Sequence, residues 1–96
     1  MASKKNVKVS SSPIRVGNAV LIRCVTHYQT GRIVEITPTE LVLDDAAWIG
    51  DTGRFHTSLV TGSLSEVEPF PGPVAVSRGA IVDVTTWTHA LPRTQK

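Results

Sequence analysis

Ninety-six residues, 41% hydrophobic but only 5% aromatic, set the scale of one small core built chiefly from Val, Ile and Leu. The single cysteine, Cys24, excludes an intramolecular disulfide and a cysteine-ligated zinc cluster. The net charge of +2 divides unevenly: Lys4, Lys5, Lys8 and Arg15 stand unopposed in residues 1–15, Arg93 and Lys96 close the chain, and the segment between sums to −4. An acidic body with basic ends excludes a broad phosphate-tracking surface and leaves positive charge to act locally.

Residues 1–12 read as a basic arm carrying Lys4, Lys5 and Lys8, either a solubilising tail or a docking segment. No apolar run follows the N-terminal lysines, so a secretory signal is not expected. Nor does any stretch approach the roughly 18 consecutive apolar residues that cross a bilayer, so no membrane role is expected. The expected setting is the cytoplasm, of a host cell if the protein is viral, or a virion.

Residues 13–92 read as a single β-rich domain and 93–96 as a basic tail. After the turn at Gly17-Asn18, residues 19–25 alternate Val20, Ile22 and Cys24 with Leu21, Arg23 and Val25. Both faces are largely apolar, which implies burial on both sides or a contact between subunits. Residues 26–30 read as a connection to Gly31, followed by a strand over 32–36. A tight turn at Thr37-Pro38-Thr39 leads to a third strand over 40–44, ended by Asp44-Asp45. Three strands with short connections make an antiparallel meander. Asp51 is placed to cap a short helix over about 52–60, with Gly62 behind it. A short strand over 64–68, a proline-rich loop at Pro69, Pro71 and Pro73, and a strand over 74–84 bent at Gly79 complete the domain.

The stretches Gly31-Arg32-Ile33-Val34-Glu35-Ile36 and Leu41-Val42-Leu43-Asp44-Asp45-Ala46 resemble the first motif of Sm-like proteins. Ser77-Arg78-Gly79-Ala80-Ile81-Val82-Asp83-Val84 resembles the second. The resemblance implies a small bent antiparallel β-barrel, of Sm-like or SH3-like kind, with one short helix in a long connection. It also implies a ring-forming homo-oligomer in which Arg78 and Gly79 help to hold a base or phosphate. In this chain the turn Thr37-Pro38-Thr39 and Glu40 stand where that family places its base-contacting Asp and Asn. Residues 45–55, from Asp45 through Trp48 to Phe55, are also similar to a family of small uncharacterised phage and prophage proteins. That likeness implies a viral or prophage setting and other particle proteins as partners.

His27, His56 and His89 lie in separate segments without the spacing of metal ligands on one helix face. Cys24, on a core strand, reads as a small buried hydrophobe. No phosphate loop or nucleophile elbow appears, so neither enzyme activity nor a cofactor is expected. The richest stretch is 48–55. There Trp48 and Phe55 can stack on a base while Arg54 meets a phosphate. The same residues equally suit a structural role, with Trp48 and Phe55 capping an open barrel end. Arg78 likewise either reaches an anion or pairs with Asp83. Three functions therefore stand: an oligomeric module that binds nucleic acid or a small nucleotide, a structural or assembly component of a phage particle, and an inhibitor that sequesters a host factor or signalling nucleotide, for which the acidic body suits a basic protein partner.

Overall fold

Alternation of apolar side chains along consecutive segments folds the chain into one antiparallel sheet of six strands, with one short helix in the longest connection. The computed structural model describes residues 12–96; the basic arm residues Lys4, Lys5 and Lys8 lie outside that range. In chain order the elements are β1 (Ala19–Cys24), β2 (Tyr28–Ile36), β3 (Glu40–Asp51), α1 (Phe55–Thr61), β4 (Glu66–Pro69), β5 (Val74–Ser77) and β6 (Ile81–Thr86). A single 3-10 turn, Arg78–Ala80, separates the last two strands. The sheet runs β4-β3-β2-β1-β6, and β5 pairs with the first half of β3. The chain thus connects one edge of the sheet to the other through that turn. No ladder between β5 and β6 closes it.

Several boundaries differ from the sequence reading. The second strand begins at Tyr28, so residues 28–30 belong to β2 and pair with β1 and β3. The third strand continues past Asp44-Asp45 to Asp51. Its acidic pair marks a β-bulge: the register shifts opposite Gly31, and Asp45 adopts φ +50°. A short polar side chain tolerates this left-handed conformation better than a branched one. The long strand over 74–84 is divided by the 3-10 turn at the expected bend, Gly79.

Gly31 suits the close approach at the bulge. A Cβ there would lie 3.0 Å from the Leu43 Cβ and 3.2 Å from the Ala46 Cβ. Removing it lets β3 close against β2 where β3 changes direction.

The sheet is covered on both faces. One cluster contains Val20, Ile22, Cys24, Ile33, Leu41, Leu43, Ala46 and Val76. The other contains Leu21, Ala47, Ile49, Leu64, Val67 and Trp87, with Leu59 of α1 packed on it. The two-sided apolar pattern of β1 is therefore satisfied within one chain, since Val20 and Ile22 feed the first cluster and Leu21 the second. Among the described residues, no helix is long and apolar enough to cross a membrane.

The last ten residues return over the second cluster. Trp87 donates its indole N–H to the Ala90 carbonyl (3.2 Å), and the His89 imidazole meets the Leu59 carbonyl at 2.8 Å. Arg93 pairs with Asp45 at 3.0 Å. Lys96 exchanges two backbone hydrogen bonds of 2.9 Å with Val67 on the outer edge of β4. Residues 93–96, expected as a tail, thus lie along a strand edge.

Candidate functional site

The candidate residues fall in three places. Trp48 lies between Ala47 and Ile49 on β3. Both neighbours belong to the second cluster, so strand alternation turns the indole to the opposite face. It is 44% exposed there, with the His27 ring centroid 6.0 Å away. Phe55, the first residue of α1, stacks on Tyr28 at 5.5 Å with an interplanar angle of 21°. Tyr28 packs on the second cluster, so Phe55 and Trp48 approach the same end of the sheet from opposite faces. They do not form one stacking site.

Arg54 precedes Phe55 and is exposed; its carbonyl accepts the Ser58 N–H at 3.0 Å, while its guanidinium has no hydrogen-bond or ion-pair partner among the described residues. It is the N-cap of α1 and makes no side-chain capping bond. The helix begins at Phe55 rather than near Thr52 because Asp51 is used otherwise. Its carboxylate accepts the Gly53 N–H at 2.8 Å, fixing the turn before the helix instead of capping it.

Arg78 and Gly79 sit at the other end of β3. The Arg78 guanidinium donates to the Thr37 carbonyl (3.0 Å), and its backbone N–H donates to Thr39 (2.9 Å). These bonds tie the 3-10 turn to the β2–β3 turn. Gly79 is exposed, and nothing nearer than the Ser77 hydroxyl, at 3.8 Å, would meet a Cβ. Arg78 pairs across β3 near Glu40, eight strand positions from Trp48, so a single ligand of nucleotide size does not bridge the two.

Asp83 is taken by Arg23, whose Nε donates to it at 3.0 Å. This hydrogen bond holds the Asp83 carboxyl below its ordinary pKa and the guanidinium above its own. Arg23 borders a shallow hollow of about 260 Å³ lined by residues 23–28 and Val82. Val25 and Val82 stand 73% and 54% exposed at its rim, an unusual exposure for β-branched side chains. Cys24 is buried, and burial pushes its thiol pKa up, away from the reactive thiolate. Among the described residues, no group of three or more His, Cys, Asp or Glu is arranged to hold a metal ion.

Reading residues 26–30 as a connection hid three members of this end of the molecule: His27, Tyr28 and Gln29. The signal was present in the period of two, which sends Tyr28 and Thr30 to one face and Gln29 and Gly31 to the other. No protein-family model matches the chain, and no curated protein or solved structure matches it either.

Proposed function

We propose that the chain is a non-enzymatic binding module, curled toward a small β-barrel, that takes single-stranded nucleic acid or a nucleotide at the edge formed by Tyr28, Arg54 and Phe55. One observation carries this reading. Phe55 is held flat against Tyr28 and left 38% exposed, beside a guanidinium without a partner among the described residues. A base stacks on such a ring whatever its sequence, and an adjacent arginine meets the phosphate. The basic arm adds attraction at longer range, weakened by salt.

Fluorescence anisotropy of a labelled oligothymidylate tests the assignment. Phe55→Ala is expected to weaken binding by about 1–2 kcal/mol, on the order of ten-fold, the usual loss for one stacking platform. Unchanged affinity in that variant, with the fold intact, rejects the edge as the site.

A second reading is favoured by the exposed Val25 and Val82, which share the rim of one hollow. It makes the chain a homo-oligomeric assembly component, for instance of a phage particle, that buries this end against a neighbouring copy. Light scattering coupled to size exclusion distinguishes the two. A discrete oligomer dispersed by Val25→Asp supports assembly through this end, and a monomer at high concentration removes it.

A further inference from the structure

The surroundings of Trp48 are of a different kind from the Phe55 edge. On β2 its direct partner is Gln29, and on β4 it is Glu68, so all three side chains share one face. Glu66, two residues along β4, lays its carboxylate over Gly50, where an added Cβ would come within 2.6 Å of the Glu66 Oε1. Gly50 stands two residues beyond Trp48, so both glutamates lie on the Trp48 side of the sheet. Glu68 accepts bonds of 3.1 and 3.4 Å from the Gln95 amide. The Glu66 carboxylate has no hydrogen-bond or ion-pair partner among the described residues.

Gln29 supplies an independent sign of a ligand. Its side chain is 7% exposed, and its Nε2 meets the His27 Nε2 at 2.9 Å, at the foot of the His27 and Trp48 rings. Its Oε1 is buried without a hydrogen-bond partner. A buried carbonyl left unpaired costs free energy, and a donor arriving at this face relieves it.

An indole face, two carboxylates and a spare amide oxygen share one preference. Each attracts a cation that carries N–H donors, and the two carboxylates repel a phosphate. We infer that the Trp48 face is a second binding site, independent of the nucleic-acid reading, that receives a lysine or arginine side chain from a basic, extended segment of a protein partner. The cation lies over the indole between Glu66 and Glu68. Charge complementarity selects the partner locally, because Glu66 and Glu68 face the indole side of β4 and no cation pairs with the Glu66 carboxylate among the described residues.

The test is anisotropy of a fluorescein-labelled peptide of alternating alanine and lysine, titrated with the full chain. The control is the same peptide with every lysine acetylated, which keeps length and removes charge. Saturable binding is expected, at least ten-fold tighter for the charged peptide. Trp48→Ala should weaken it at least ten-fold, and the double change Glu66→Gln with Glu68→Gln at least five-fold. Trp48→Phe, which retains a ring, should fall between wild type and Trp48→Ala, separating stacking from a folding defect. Equal affinity for the acetylated peptide, or wild-type affinity in the double glutamine variant, overturns the assignment. Binding that appears only when Lys4, Lys5 and Lys8 are changed to Gln also overturns it, because the chain's own arm would then be the occupant.

Discussion

Thr30 shows how a single side chain can reveal what a position does for the fold. It is fully buried, lies opposite Ala47 of the second cluster, and its hydroxyl has no hydrogen-bond partner. Valine has the same shape without the stranded polar atom, and a buried hydroxyl lacking a partner is a net cost. Thr30→Val is therefore expected to raise stability by about 1 kcal/mol, read as a higher urea midpoint at unchanged slope. A lower midpoint would mean that the hydroxyl is satisfied, for example by a buried water. Gln29, the next residue, carries the other buried unpaired group, yet it faces the Trp48 surface. Two neighbours with the same defect thus divide into one that faces the core and one that faces a proposed ligand.

Among the elements, α1 is the least well supported by its own sequence. It has seven residues, no side-chain cap and no acidic residue in its first turn. Gly62 ends it in the left-handed conformation, with its N–H on the Ser58 carbonyl at 2.8 Å. Arg54→Ser supplies the missing cap and is expected to stabilise the protein by about 0.5–1 kcal/mol. In the same variant, loss of the guanidinium should weaken oligonucleotide binding. Thermal unfolding and anisotropy measured on one sample check both signs, and opposite signs show that Arg54 is retained for binding rather than for the fold.

The pairing of β1 with β6 has its own marker in Arg23 and Asp83. The Asp83 pKa is lower in the folded chain than in the unfolded one, so its contribution is complete above the unfolded value, about 4. It fades as pH falls through the lower folded value. Asp83→Asn should leave a smaller loss of stability between pH 6 and pH 3 than wild type shows, compared by denaturant midpoints. Because both partners are half exposed, the difference should be small and shrink further in salt.

The meander was legible because β1 and β3 alternate cleanly and Gly31 and the 37–39 turn punctuate them. Less legible was whatever depended on contacts distant in sequence. Asp44-Asp45 has the composition of a strand end, and only the approach of Gly31 makes it a bulge within a longer strand. By composition Trp48 and Phe55, seven residues apart, suit either one stacking site or the capping of an open barrel end. Strand parity places them on opposite faces, a separation that follows once β3 is known to continue through Trp48.

At the scale of the molecule, the two clusters share a backbone. Val20, Leu21 and Ile22 are consecutive residues serving opposite faces, and Ala46 and Ala47 repeat the arrangement on β3. A sheet cannot lose packing on one face and keep its geometry on the other, because the same peptide planes set both. The clusters should therefore unfold as one unit despite their separation. Trp87 lies in the second cluster, buried and bonded to Ala90, while Leu43 lies in the first. Leu43→Ala removes a fully buried side chain and is expected to cost about 2–5 kcal/mol. The decisive measurement is whether the Trp87 emission midpoint moves with the far-ultraviolet circular dichroism midpoint, made in a Trp48→Phe background so that one indole reports. Coincident shifts establish a single cooperative unit. A Trp87 transition that stays at its wild-type midpoint while the dichroism shifts would show that α1, β4 and the returning C-terminal residues form a layer that holds without the first cluster.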